Sequence, residues 1–208
     1  MDIFLGRFHP LVVHLPIGFL ILSFIFKVIS SRYPQRYSEL NKAISITLIL
    51  GAASAIMACS LGHFLSLDGG YDSSTVFWHK WTGIGVAVVS CSAWLAHVRL
   101  TSDPRITWLL FALFSVLLVL AGHLGGNLTH GSDYLLAYAP APLQKIAGYN
   151  SEDQKDIDIP SDSDSIIVFE HIINPIMKAK CFSCHNSSKA KGGLDLTSKA
   201  GILAGGDE

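Results

Sequence analysis

Four apolar runs follow one another in the first part of the chain, at 11–29, 43–65, 81–98 and 106–124, and they constrain the fold more than any other feature. Each is close to the ~20 residues that a helix needs to cross the hydrocarbon core of a bilayer. A buried helix of a large soluble protein can resemble any one of them, but four in succession, separated by short polar turns, read as a transmembrane bundle. Composition agrees, since 50% of the residues are hydrophobic and 15% charged, where soluble domains carry about a quarter charged. The lipid bilayer is thus an expected partner. Nucleic acid is not, because 15 Lys and Arg against 16 Asp and Glu leave no positive excess for phosphates. The first run is preceded by Arg7 alone and lacks a small-residue cleavage pattern, so it reads as a retained helix rather than a removable signal peptide.

Charge sets the orientation. The first interhelical loop region holds Lys27, Arg32, Arg36 and Lys42, and the third holds Arg99 and Arg105, whereas residues 66–77 carry Asp68 and Asp72 with no Lys or Arg. By the positive-inside rule the first and third loops face the cytoplasm, leaving both termini and the second loop outside. For a Gram-negative bacterium this means a multi-pass protein of the inner membrane with its C-terminal part in the periplasm. Trp78, Trp81 and Tyr71 at the outer ends, and Trp94 and Trp108 nearer the inner ends, suit interfacial belts.

The apolar pattern defines residues 1–140 as the four-helix domain. Residues 141–165 follow as a linker, ending in SEDQKDIDIPSDSDS, which holds six of the sixteen acidic residues and one Lys. Such a segment has too little apolar surface to offset the entropy of ordering and reads as a flexible acidic tether. Apolar residues return with helical spacing in IIVFEHIINPIMKAK, so 166–208 reads as a second, partial domain.

That domain carries the sharpest chemical signal, Cys181-Phe182-Ser183-Cys184-His185. Thiols at i and i+3 can each add to one vinyl group of a haem, and the adjacent imidazole is then the proximal ligand of the iron, the c-type attachment pattern. A thioredoxin-like pair would need a βαβ setting, and a zinc site a second ligand pair, and the chain supplies neither. One covalent haem c, held by Cys181 and Cys184 with His185 on the iron, is therefore expected. The fold expected overall is an all-α membrane protein: a four-transmembrane-helix bundle, N-out and C-out, then an acidic tether and a mostly helical c-type cytochrome segment.

INPIMKAKCFSCHN (173–186) and KAKGGLDLTSKAGILAGGDE (189–208) resemble the start of the planctomycete-type cytochrome c domain, in which CxxCH is followed by GGL-x-L and a Gly-rich turn. FHPLVVHLPIG (8–18) and GHLGGNLTHG (122–131) resemble an uncharacterised bacterial four-helix membrane family, which offers no assigned function. One departure from the cytochrome pattern stands out: only 23 residues follow His185 and none is Met or His. The segment then reads as part of a longer domain, or its haem is five-coordinate, or an upstream side chain, Met177 or His171, is the second ligand.

The remaining histidines form a second constellation. His14, His63, His79 and His123 come one from each helix and all lie toward the outer side, with His9 and His130 just beyond; His97 is alone at the inner end. Ionisable residues within spans usually face a bundle interior and mark ligand sites, and facing helices of a bundle can hold haem iron through imidazole pairs. Gly18 and Gly83 lie one turn inward of His14 and His79 and leave room for a macrocycle. On this reading two pairs drawn from His14, His63, His79 and His123 hold one or two b-type haems. His9 and His130 are secondary metal-ligand candidates; His9 and His14, about 140° apart on a helix, do not share a site.

The structural alternatives stay open. Interfacial histidines can bond to carbonyls or headgroups, His9-Pro10 can open a helix, and glycines beside histidines can serve helix packing. Cys59 and Cys91 read as packing residues, Pro16 as a kink, and GHLGG at 122–126 as the end of the fourth helix. No phosphate loop, nucleophile triad or carboxylate pair is present, so the chain is an electron carrier or a subunit of a redox enzyme, with redox proteins and a membrane quinol as partners. The rival readings are a cofactor-free anchor for a larger redox complex and a periplasmic-face copper site.

Overall fold

The computed structural model describes residues 2–69, 71–100, 103–131, 134–146, 162, 165–182, 184–187 and 190–207, and among these the regular structure is helical with no strand. Clustering divides the chain into two compact units, one of residues 1–69 and 74–125 and the other of 70–73 and 126–208. Most of the acidic tether lies outside the described residues.

The first unit holds the membrane-spanning part. Its first stretch comes in three pieces, α1 (Asp2–Gly6), α2 (His9–Val12) and α3 (His14–Arg32). Two prolines account for the breaks. Pro10 has no N–H to give the Gly6 carbonyl and Pro16 none for that of Val12. The helix lapses at Arg7 and Phe8, and again at Val13, whose carbonyl meets the Ile17 N–H only at 3.4 Å. The interruption expected at Pro16 is thus joined by a second at Pro10. Then follow α4 (Leu40–Ser66), α5 (Ser73–Leu95), which runs on through a wider turn at Ala96–Leu100, and α6 (Pro104–His130). Residues 2–32, 40–66, 73–98 and 104–130 are each long and apolar enough to cross a membrane, so the protein is a multi-pass membrane protein.

The helices outrun the apolar runs, mostly at the outer end. Hydropathy falls where His, Asn and Gly enter, but backbone hydrogen bonding continues into the interfacial zone. The clearest correction concerns GHLGG: α6 passes straight through Gly122–Gly126 to His130 and ends at Gly131, where φ is 93°. Glycine tolerates a helix interior at a modest penalty, while a left-handed φ needs it.

α4 is the inner helix: 44% of its most apolar stretch is buried, against 17–28% in the other three spans. After Ile44, Thr47 and Leu48 its buried face is made of small residues, Gly51, Ala52, Ser54, Ala55 and Ala58. Without a hydrophobic drive between helices in lipid, such residues allow the close backbone approach on which packing depends. Leu20 fills the notch at Gly51, where an added Cβ would stand 2.6 Å from its Cδ2. A core of Leu20, Ile44, Leu48, Ala55, Val86, Ala87, Phe111 and Phe114 joins all four spans. Buried hydroxyls return to their own helices: Ser23 donates to Leu20 O (2.8 Å), Thr47 to Ala43 O (2.8 Å), Ser54 to Leu50 O (2.7 Å) and Ser90 to Ala87 O (3.0 Å). Each is thereby satisfied without water.

Both ends of the bundle are tied. At one end Trp94 Nε1 donates to Ser45 Oγ (3.2 Å), His97 Nε2 donates to Asn41 O (3.0 Å), and Lys27 Nζ stands 6.0 Å from the Trp108 ring. At the other end Arg7 pairs with Asp68 at 2.6 Å, and buried Gly6 lies on the end of α4. A Cβ on Gly6 would stand 2.5 Å from Leu65 N and 2.8 Å from Leu65 Cα. Backbone atoms cannot step aside as a flexible side chain can. Gly6→Ala should therefore lower stability by the overpacking penalty of about 1–3 kcal/mol, seen as a fall in the unfolding midpoint in detergent. Gly18→Ala, whose Cβ meets nothing within 4 Å, should gain the ~0.5–1 kcal/mol of helix propensity instead. Equal effects at the two positions would contradict the close approach of α1 to α4.

Candidate functional site

In the second unit α7 (Ala141–Ile146) comes earlier along the chain, and a wider turn at Phe169–Ile173 leads into α8 (Asn174–Lys180), with Pro175 in its first turn where a missing N–H does no harm. The main chain turns at Cys181, Cys184 and His185. Cys181 N–H donates to Met177 O (2.7 Å), Cys184 N–H to Cys181 O (3.1 Å) and His185 N–H to Cys181 O (2.9 Å). One helical turn thus carries Cys181, Cys184 and His185 at i, i+3 and i+4, the spacing that shares a face. Both thiols are half-buried.

The downstream glycines fasten this turn. Gly192 and Gly193 take φ of 66° and 70°, and the chain reverses there, so that Lys191 N–H donates to Cys184 O (3.2 Å) and Leu196 N–H to His185 O (3.0 Å). The Leu of GGL-x-L is therefore a pin on the backbone of the histidine. Asp207 N–H closes the loop on Gly192 O (2.8 Å), and α9 (Lys199–Ala204) is capped by Ser198, whose Oγ accepts from Gly201 N–H (3.0 Å). The Thr197 hydroxyl (2.6 Å) and N–H (2.9 Å) both donate to Asp195 Oδ1 and hold its carboxyl below the usual range.

These residues fit a covalent haem. His185 Nδ1 is buried and has no hydrogen-bond partner among the described residues, so a ligand approaching this imidazole meets Nε2. Of the upstream candidates for a second ligand, His171 has its Nδ1 lone pair in use, accepting from Ile167 N–H at 2.9 Å. Its neutral ring then carries the hydrogen on Nε2. Met177 is half-buried, and its carbonyl accepts from Cys181 and Phe182.

The histidines of the first unit are sorted by their surroundings. His14 is exposed, its Nδ1 3.3 Å from Leu11 O; His63 is exposed beside Phe64, with ring centroids 6.2 Å apart; His123 is also exposed. The structure does not gather these three with His79 in one interior. In the second unit, His130 is exposed, 2.7 Å from the Thr129 hydroxyl and stacked on Tyr134. Among the described residues no cluster of three or more His, Cys, Asp or Glu could hold a metal ion.

Two histidines do meet. His79 Nδ1 lies 3.0 Å from Ala121 O of α6, and His9 Nδ1 2.9 Å from Ala58 O of α4; their centroids are 6.1 Å apart with planes at 82°. Reading Pro10 as a helix start put His9 outside the bundle, whereas α1 carries the chain one turn further out. A signal for the pair was available: the spacing Ala-x-x-x-Gly recurs at 58–62 and 121–125. Each ring bonds to that alanine's carbonyl and rests on that glycine, where an added Cβ would stand 2.9 Å from His9 Cε1 or 3.1 Å from His79 Cε1. Deeper in the membrane part, an apolar cleft of about 410 Å³ lies between α3 and α6, lined by Ile17, Ile21, Phe24, Phe114, Leu118 and Gly122 among others.

Comparison with known proteins bears on both units. Residues 181–208 match the family model described as planctomycete cytochrome C, which begins at the first thiol of CxxCH. No curated protein and no solved structure matches the chain. A second family model, described as predicted membrane protein (DUF2231), matches residues 7–133, from the arginine before His9 to just past the end of α6. With more than half its length under that model, the chain belongs to the DUF2231 family of membrane proteins.

Proposed function

We propose that this is a membrane-anchored electron-transfer protein, its bundle set in a bacterial cytoplasmic membrane and its C-terminal segment carrying one covalent haem c on the periplasmic side. The observation that supports this most is the single turn bearing Cys181, Cys184 and His185, continuous with α8 above and pinned by Lys191 and Leu196 below. The match of this segment to a cytochrome family agrees. Each thiol would form a thioether with one vinyl carbon and give its proton to the other, a net addition without oxidation or reduction. His185 would offer Nε2 to the iron. Haem bound there supplies reversible one-electron exchange.

The chain's own part is to hold and orient. The Leu196 bond fixes the main chain at His185, and burial of Nδ1 leaves the ring one accessible nitrogen. Redox proteins on the periplasmic side, and a membrane quinol on the bundle side, are the partners in this reading. The outer-face b-type haem read from His14, His63, His79 and His123 belongs to the same proposal, and of the four His79 is the half-buried one while the other three are exposed.

Expressed whole with c-type maturation machinery, the protein should retain about one haem per chain after acid–acetone extraction, with the pyridine haemochrome of thioether-bound haem. Cys181→Ala with Cys184→Ala should abolish it while leaving the membrane part folded. A wild-type chain without retained haem would end this reading. Orientation is tested separately with reporter fusions. An alkaline phosphatase joined after Asp68 or Gly131 should be active and one joined after Arg36 or Arg105 inactive; the reverse pattern would put the cytochrome segment in the cytoplasm, where c-type haem is not attached.

A further inference from the structure

The pairing of His9 with His79 is used by nothing described so far, and the hydrogen bonding of the two rings is that of ligands. A carbonyl oxygen can only accept, so the bonds to Ala58 O (2.9 Å) and Ala121 O (3.0 Å) place a hydrogen on both Nδ1 atoms. In the neutral ring the lone pair is then on Nε2, and neither Nε2 has a hydrogen-bond partner among the described residues. Metal-ligating histidines are typically held this way, with the other ring nitrogen donating to a main-chain carbonyl.

The distance between the rings is the second observation. Two imidazoles on opposite sides of one metal, through bonds of about 2 Å, have centroids roughly 6 Å apart; these are 6.1 Å apart with planes nearly perpendicular. Both rings are seated by the same device on different helices, an alanine carbonyl and the glycine four residues on. A packing histidine needs no such duplication.

The kind of metal follows from what is missing around the pair. Zinc bound by protein alone takes four ligands, and no third His, Cys, Asp or Glu joins this pair among the described residues. A cuprous ion prefers thiolate or thioether donors. Haem iron brings four nitrogens of its own and takes two axial imidazoles from facing helices of a bundle. One turn along α5 from His79 the helix carries no side chain, since Gly83 stands there, and a Cβ on it would touch only the Cys59 sulfur, at 3.6 Å. We propose that His9 and His79 are the axial ligands of a second, non-covalent haem in the outer half of the bundle. Its role as an electron carrier rests on the function proposed above; its ligands do not.

The test uses the full chain, matured with haem c and purified in detergent. The acid–acetone extract should contain about one haem per chain, and the intact protein should show the low-spin ferric signal of bis-imidazole ligation. His9→Gln and His79→Gln should each lose the extractable haem while keeping the covalent one and the same elution volume; His14→Gln, His63→Gln and His123→Gln should keep both. His79→Gly given free imidazole should recover the low-spin spectrum, which a merely structural histidine would not do. Gly62→Ala, pressing on the His9 ring, should shift that signal. No extractable haem in the wild type, retention of it in both His9→Gln and His79→Gln, or copper or zinc in its place would overturn the assignment. Absence of the covalent haem alone would sink the previous proposal and leave this one standing.

Discussion

The close approach of α4 to the helices around it is what the rest of the membrane part depends on. In lipid, apolar side chains gain little from leaving one hydrocarbon environment for another, so attraction between helices comes from dispersion and hydrogen bonds at short range. The row from Gly51 through Ala58 to Gly62 makes that range attainable. Leu20 enters it at one level, the His9 ring at another, and Gly6 is laid on the helix end beyond. A single larger residue along this row would displace several neighbours together, because none of these contacts has slack.

The same closeness governs how polar atoms are satisfied. Ser23, Thr47, Ser54 and Ser90 turn their hydroxyls back to carbonyls of their own helices, which stabilises the atom but joins nothing. The imidazoles act differently. His9, His79 and His97 each donate to a carbonyl of another helix, so they join elements, and the choice of nitrogen decides what remains free. His97 donates from Nε2 at the inner end, whereas His9 and His79 donate from Nδ1 and keep Nε2 as an acceptor. His171 is the opposite case, with Nδ1 accepting from a main-chain N–H. Four histidines of one composition class thus have distinct chemistry, set by which main-chain group each ring reaches.

Much of the fold was legible in the sequence because hydrophobicity and charge act through composition. Four spans, their order, and the motif at Cys181 need only local reading. Helix ends were less legible, since hydropathy reports where apolar residues stop and not where backbone hydrogen bonding stops; α6 continues six residues past Leu124 for that reason. Which way each histidine faces was the least legible of all. It depends on the rotation of each helix about its axis, and the breaks at Pro10 and Pro16 change that rotation between His9 and His14. Counting at 100° per residue across an interrupted helix cannot recover it. The turn at Gly192 and Gly193 is the contrary example: a pair of glycines announces a left-handed reversal, though that it ends by pinning His185 through Leu196 is long-range information.

The charges agree with the orientation expected from the sequence. Arg7 is a cation on the side that the positive-inside rule would keep free of them, but it is bound to Asp68 at 2.6 Å. The pair is partly exposed, so it contributes little to stability, yet it leaves no net charge there. Lys80 is the other cation at that end within residues 1–130, exposed and flanked by Trp78 and Trp81, where its long stem can reach the headgroups. Within the same residues six cations lie toward the opposite end: Lys27, Arg32, Arg36, Lys42, Arg99 and Arg105. In α6, nine residues of helix, about 14 Å, separate Ala121, which anchors His79, from His130 at the helix end.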